Sequence, residues 1–309
     1  MAKIIKLNEI KLSKNNMLRS GYRSYFRPLT RVLEYYKKGE LVMISGRSGS
    51  GKSTFLSQEM LAMLDQEQKI GVFSGELPPT QFKSWLYSQM CRITDMEMEH
   101  DEHIKKTRYY VSDGIIEKLD RYYNDQLALY HYPKSIAIFE DLEKEIVKGV
   151  NLGYTVFFID NLMQIVSDVE ENEFKKQIMV IHNLKELCKV HNINIFLVAH
   201  PKKVRDEFIV MDDVAGRQEL FAKVDIVLLL HRISEDRRED ENSKFFGLDG
   251  LIEIAKNRDA GSLKKIRLKM DGYTKRFYSI SEMFDGVKDE KEYVPKGISA
   301  TEENVDYLL

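Results

Sequence analysis

The chain has 309 residues, 31% charged and 43% hydrophobic, with a formal net charge of -2. That is an ordinary globular composition, long for one domain and short for two large ones, and its charge excludes a global attraction to nucleic acid; any such contact needs local basic loops. The two cysteines, Cys91 and Cys188, lie in apolar helical patterns without Cys-x-x-Cys spacing. They argue against a disulfide scaffold or zinc site and fit a reducing cytoplasm, or a host cytoplasm for a viral chain. The start, Met1-Ala2-Lys3-Ile4-Ile5-Lys6, lacks a long apolar stretch, and no segment approaches the roughly 18 apolar residues of a membrane span.

Residues 1–28 are polar, basic and weakly periodic, and read as an N-terminal arm or linker. Met17 to Arg27 alternates Arg with Tyr and Phe and has no clean core pattern. Residues 29–280 alternate apolar runs with helical patterns. Leu41-Val42-Met43-Ile44 reads as a strand, followed by Gly46-Arg47-Ser48-Gly49-Ser50-Gly51-Lys52-Ser53 and a helix from Thr54 to about Leu64. This is G-x-x-x-x-G-K-S in the strand–loop–helix context that a triphosphate-binding loop requires. Gly46, Gly49 and Gly51 let the backbone turn its N–H groups inward, the helix N-terminus adds partial positive charge, Lys52 reaches the β- and γ-phosphates, and Ser53 ligates Mg²⁺.

Ile70–Ser74 is the next predicted strand, ending at Gly75-Glu76, where Glu76 can orient or deprotonate an attacking water. Its strand is expected beside the loop strand. Pro78-Pro79 opens a helix over Thr80–Cys91. The charged, Tyr-rich stretch Asp95–Asp125 reads as helical and partly exposed, Leu127–Tyr130 as a short strand and Ser135–Lys148 as a helix. Thr155–Ile159 is a continuous apolar run typical of a strand covered on both faces. It ends in Asp160, a carboxylate able to hold Mg²⁺. A helix over Phe174–Val190 and a strand over Asn194–Ala199 come next. The strand leads into His200-Pro201-Lys202-Lys203, where His200 can touch a γ-phosphate and the loop from Lys202 to Arg217 can meet a phosphate backbone. Ile226–Leu230 is another strand. Leu251–Ala255, Lys264–Met270 and Arg276–Ile280 read as a final antiparallel set. Lys256 and Arg258 lie on a tight turn before Gly261, a solvated hairpin tip or, in a ring-shaped ATPase, an arginine finger. Residues 281–309 read as an acidic, mobile C-terminal tail.

The ordered set Lys38–Leu41 into Ser45–Ser53, Ser74-Gly75-Glu76, Phe158–Leu162, Val198–Lys203 and Lys256-Asn257-Arg258 resembles the helicase domain of the DnaB superfamily of ring helicases, closest to the mitochondrial Twinkle and phage helicase–primase type. Asp213–Arg217 before Lys223-Val224-Asp225 resembles the family's DNA-binding loop, and the likeness covers about residues 20–280. It implies an α/β, RecA-like P-loop NTPase core with a mostly parallel sheet flanked by helices. It implies ATP and Mg²⁺ as cofactors, translocation on single-stranded DNA and a homo-oligomeric, hexameric ring. By motif match, Gly46 to Thr54 cradle the nucleotide. Ser53 and Asp160 hold the metal, Glu76 is the catalytic glutamate and His200 the sensor. Arg258, with Lys256 beside it, is the finger given across a subunit interface. The early position of the phosphate loop leaves no room for the family's N-terminal parts, so a primase, polymerase or loader is expected on another chain. A second reading is a RecA-like ATP switch, such as a recombination mediator or loader, that binds DNA or partners without unwinding. A small-molecule kinase would leave His200 and Arg258 without a role.

Overall fold

The structure, a computed structural model, describes residues 21–75, 77–130, 137–166, 173–201, 206–215, 221–259 and 261–280. Expectations resting on residues 1–20, Glu76, Lys202, Lys203, Arg205, Gly216, Arg217, Ala260 and the tail 281–309 lie outside the described residues.

The apolar runs form a nine-stranded sheet. In chain order its strands are β1 (Leu41–Gly46), β2 (Ile70–Ser74), β3 (Leu127–Tyr130), β4 (Val156–Asp160), β5 (Asn194–Ala199), β6 (Ile226–Arg232), β7 (Gly250–Asn257), β8 (Lys265–Asp271) and β9 (Arg276–Ile280). They lie in the order β9-β8-β7-β6-β1-β5-β4-β2-β3. From β6 through β3 every pairing is parallel, and β7, β8 and β9 extend the sheet as an antiparallel set. Among the described residues, the helices of ten residues or more are α1 (Lys52–Asp65), α2 (Pro79–Gln89), α3 (Asp113–Tyr122), α4 (Phe139–Asn151) and α5 (Glu173–His191). Because strand side chains alternate with a period of two, β1 sends Val42 and Ile44 to one core and Leu41 and Met43 to the other. The first core packs under α1 and α2, the second under α4 and α5. Along the central strands β1, β4, β5 and β6 both faces are covered, which is why these read as unbroken apolar runs.

Three features differ from the sequence reading. Residues 21–28, expected to close an arm, are built into the domain. Gly21–Tyr22 pairs with Tyr36–Lys37, a short helix runs over Arg27–Leu33, and Tyr22, Tyr25, Phe26 and Leu29 are buried. Phe26 stacks on Phe55 of α1 at 5.4 Å between ring centroids, and the Ser24 hydroxyl donates to Glu59 Oε1 at 2.6 Å. The alternating Arg and aromatic residues hid this, because the buried Tyr22, Tyr25, Phe26 and Leu29 run from a strand into a helix rather than along one periodic element.

The stretch 95–125 is not one helix. Met96–Asp101 and Lys106–Val111 form an antiparallel hairpin before α3. Met96-Glu97-Met98-Glu99 alternates with period two, a strand signal that its many charges obscured. Asp101 closes the turn by accepting from the His103 and Ile104 amides at 3.0 and 3.2 Å.

The third correction concerns β2, which does not neighbour the loop strand. It pairs with β4 and β3, and both β5 and β4 stand between it and β1.

If residues 21–33 belong to the core, Phe26→Ala should cost about 3–5 kcal/mol of stability, as truncation of a buried aromatic does. Urea unfolding of the full chain checks this; a change below about 1 kcal/mol would mean a loosely attached segment.

Candidate functional site

Gly46 ends β1, flanked in register by Leu230 of β6, and its neighbour Ser45 is paired with Ala199 of β5. The Ser45 hydroxyl donates to the Ala199 carbonyl at 2.6 Å, tying the loop strand to the strand that carries His200. The loop then turns through Arg47–Ser50 into α1. A Cβ at Gly46 would stand 2.3 Å from Ser50 Oγ and 2.6 Å from the Leu230 carbonyl oxygen, so no larger residue fits. Gly51 caps α1 at φ 88°, and a Cβ there would meet the Phe277 ring at 2.5 Å. Phe277 is held in place by the buried amide of Gln58, whose Nε2 donates to the Phe277 carbonyl at 2.7 Å and whose Oε1 accepts from the Phe277 amide at 2.8 Å. The antiparallel strand β9 therefore braces the first turns of α1.

The first turn of α1 carries no acidic residue, so the positive end of the helix faces the loop unopposed. Lys52, 8% exposed, donates through Nζ to the carbonyls of Gly46 and Arg47 at 2.9 and 3.0 Å. Ser53 is half-buried and Thr54 is buried. Arg232, at the end of β6, places a guanidinium nitrogen 3.6 Å from where a Gly49 Cβ would be. No motif announces this cation; only the β1–β6 pairing brings it there.

Parallel register gathers the other groups at the same edge. Asp160 ends β4 half-buried, level with Ser74 of β2, and its carbonyl accepts from the Gly75 amide at 3.2 Å. His200 follows the end of β5, which lies between β1 and β4. Lys52, Ser53, Asp160 and His200 thus share one end of the sheet, and Gly75 brings the chain there just ahead of Glu76. Among the described residues no cluster of three or more His, Cys, Asp or Glu forms a protein-only metal cage. A lone hydroxyl and a carboxylate at a phosphate loop suit Mg²⁺, a hard cation that shares its coordination with phosphate oxygens and water. Ser53 and Asp160 are the residues that would hold it.

Lys256 and Arg258 are at the other end. β7 runs antiparallel to β6, so Asn257 pairs with Ile226, the first residue of β6, which is level with Val42. The loop begins four residues further along β1, about 13 Å away at strand rise. Here Arg258 donates to Asp225 Oδ1 at 3.2 Å and to the Ala222 carbonyl at 2.9 Å, and Lys256 Nζ donates to the Phe221 carbonyl at 2.5 Å. Burial, with Arg258 close by, holds the Lys256 ammonium below its ordinary pKa. Asp225, which sequence reasoning noted only as part of a loop motif, is the hub. Its Oδ2 accepts from the Leu41 amide at 2.8 Å and from Lys185 Nζ at 2.5 Å, and both ion-pair side chains are 7% exposed. Nearby Glu40, which accepts from the Lys37 amide at 2.8 Å, is pushed up to about 7, chiefly by burial and further by the Asp225 charge.

With this geometry in place, comparison with known proteins is decisive. The family described as DnaB-like helicase C terminal domain matches residues 21–279. The chain belongs to that family. Among curated relatives, it is similar to the replicative DNA helicase DnaB of Mycoplasma genitalium, 23% identical over 295 residues, covering 89% of this chain and 60% of that protein. It is also similar to the DNA helicase/primase of Enterobacteria phage T3, 26% identical over 208 residues, covering 63% of this chain and 35% of that protein. The chain thus spans about 60% of the length of the DnaB relative and a smaller share of the phage protein. Among solved structures, a DnaB-like replicative helicase superimposes with a TM-score of 0.66 at 18% identity, covering 84% of this chain and 63% of that one. A KaiC-like protein from Pyrococcus horikoshii superimposes at 0.58 with 13% identity, covering 85% of this chain and all of that one. These likenesses establish the RecA-like fold of this DnaB-family domain. Among the described residues no helix is long and apolar enough to cross a membrane.

The buried charges make two predictions. Asp225→Asn leaves Lys185 buried without a counter-charge and should cost about 3–5 kcal/mol, whereas Asp225→Asn combined with Lys185→Met should recover most of that loss. Urea unfolding of both variants measures this, and equal losses would refute the pairing. Glu40 has a folded-state pKa near 7 against an unfolded value of 4.5. The native protein therefore keeps a proton that the unfolded chain releases, and stability falls as pH rises through that window. Glu40→Gln should raise Tm by a few degrees above about pH 7.5 and match the parent below about pH 4.5. A constant difference across the range would show that ionisation of Glu40 is not responsible.

Proposed function

We propose that this chain is the motor part of a replicative-type DNA helicase, which hydrolyses ATP and translocates on single-stranded DNA as a ring of identical subunits, with six expected. One observation supports this most directly: the phosphate loop, Asp160 and His200 share one end of the sheet, while Lys256 and Arg258 are held at the other. A subunit built this way cannot complete its own nucleotide site, but it can complete its neighbour's in a head-to-tail ring.

In this reading the amides from Gly46 to Thr54, with Arg47, Ser48 and Ser50 in the turn, surround the phosphates. Lys52 exchanges its contacts with the Gly46 and Arg47 carbonyls for phosphate oxygens. Ser53 and Asp160 would hold Mg²⁺, which would supply charge neutralisation on the phosphates. Glu76 orients the attacking water. The neighbour's Arg258, steadied by Asp225 and accompanied by Lys256, stabilises charge at the γ-phosphate in the transition state. His200, between the loop strand and the Asp160 strand, passes the state of the γ-phosphate to the basic stretch from Lys202 to Arg217, which contacts the DNA backbone. The solved DnaB-like replicative helicase is described together with its interactions with primase, and the phage T3 relative is a helicase/primase. A separate primase, polymerase or loader, met in the cytoplasm, is the corresponding partner here.

The test is steady-state ATP hydrolysis with and without single-stranded DNA. DNA should stimulate turnover, and Lys52→Ala should abolish it. Arg258→Ala should lower turnover by about 10³-fold while sparing nucleotide binding. An equal mixture of Lys52→Ala and Arg258→Ala chains should then recover activity at about a quarter of the interfaces, those pairing an intact loop with an intact finger. No recovery on mixing would remove the claim that Arg258 acts in trans. DNA-stimulated hydrolysis without strand displacement from a forked duplex would favour an ATP switch over a helicase.

A further inference from the structure

β6 and β7 are antiparallel neighbours, and a turn of roughly two to five residues is enough to join such a pair. The chain instead runs through residues 233–249, at the edge where Leu230 of β6 is level with Gly46. This connection has a small core of its own. Ile233 and Leu248 meet Leu251 of β7, and Phe208 and Phe245 pack against them. Arg238 closes it by donating to Asp249 Oδ1 at 3.1 Å. A connection of this length with its own core is more than a link between strands. What it holds is Glu207-Phe208. Glu207 Oε1 accepts from the Ser234 amide at 3.3 Å, and its Oε2 pairs with Arg237 Nε at 3.0 Å. The Phe208 ring is 5.4 Å from the Phe245 ring and meets His231 edge-on at 5.2 Å. The Arg237 guanidinium lies 5.6 Å from the Phe208 centroid and 5.7 Å from that of Phe245. A guanidinium that stacks on two rings while pairing with a carboxylate fixes all four groups relative to one another.

The clamped residues are also tied to the phosphate loop. Arg47 Nη1 donates to the Asp206 carbonyl at 3.3 Å, and the Arg47 carbonyl accepts from Lys52 Nζ at 3.0 Å. Arg232, just ahead of the connection, stands beside Gly49. Beyond the clamp, Ile209 and Val214 are buried in the second core. The segment 206–215 is thus fixed to the body of the domain, and it lies within the stretch from Lys202 to Arg217. We propose that Arg237 and Phe245 are positioning residues, which clamp this segment through Glu207 and Phe208 and so couple it to the phosphate loop. When Lys52 exchanges the Arg47 carbonyl for phosphate oxygens, the change reaches Asp206 through the Arg47 side chain. The clamp carries it into the segment instead of letting it dissipate at one exposed residue. This route is separate from His200. The inference rests on the proposed function, in which the loop binds ATP and the basic stretch contacts DNA.

The test measures steady-state ATP hydrolysis by the full chain with and without a single-stranded oligothymidylate, and binding of that oligonucleotide by fluorescence anisotropy. Arg237→Ala should keep hydrolysis without DNA within about two-fold of the parent and oligonucleotide affinity within about three-fold, while DNA stimulation falls by at least about five-fold. Phe245→Ala should do the same, and Phe245→Tyr, which keeps the ring, should retain the parental stimulation. The Arg237 side chain is 48% exposed, so its truncation opens no buried cavity and reads the clamp even where Phe245→Ala unfolds the connection. Unchanged stimulation in Arg237→Ala would overturn the inference and leave these contacts as packing alone. An equal fall in hydrolysis without DNA would overturn it by making the connection a brace for the phosphate loop. A matching loss of oligonucleotide affinity would overturn it by making Arg237 a DNA contact. Absence of DNA stimulation in the parent chain would refute the motor reading itself, and this inference with it.

Discussion

Parallel hydrogen bonding in a single register across β1, β5, β4 and β2 sets where every reactive group can be. Ser45 is level with Ala199, and Ser74 with Asp160, so these strands stop together and release their chains at one edge. A one-residue slip in any pairing would turn its apolar side chains to the wrong core and shift its terminal group along the edge. Both cores oppose such a slip, because the strands are packed on both faces. The antiparallel turn into β7 has the opposite consequence, carrying Lys256 and Arg258 back to the far end. The same sheet thus keeps the Lys256–Arg258 pair apart from the edge that carries the phosphate loop.

The antiparallel extension also supports the loop itself. Phe277 of β9 presses against Gly51 and is fixed by two hydrogen bonds with Gln58 of α1. Gln89, at the end of α2, adds a contact to the Lys275 carbonyl at 2.8 Å, and Lys275 lies over the Trp85 ring at 4.8 Å. These contacts hold the helix N-terminus steady relative to the strand behind it, which matters because amides aimed at phosphates act through pre-organisation.

At the opposite end, Asp225 concentrates electrostatic stress. It joins the Leu41 amide, Lys185 and Arg258, and its negative field helps to keep the Glu40 carboxyl protonated to higher pH. Buried charges of this kind contribute little net stability. What they do is hold the Arg258 guanidinium in one place, against Asp225 and the Ala222 carbonyl.

The sequence by itself determined the local chemistry: the glycine pattern of the phosphate loop, the nine strands of the main sheet, the Asp160 carboxylate at a strand end and the order of motifs. Each is a property of adjacent residues, with backbone permissiveness, periodicity and burial acting over a few positions. Tertiary structure alone decided the rest. It placed β2 beside β4 rather than β1, brought Arg232 to Gly49 and Phe277 to Gly51, drew residues 21–33 into the core and made Asp225 the partner of both Lys185 and Arg258. These contacts join positions as far apart in the chain as Gly51 and Phe277, and strand order within a sheet leaves no periodicity in the strands it orders. The pairing emerges only when the whole set of apolar faces is buried at once.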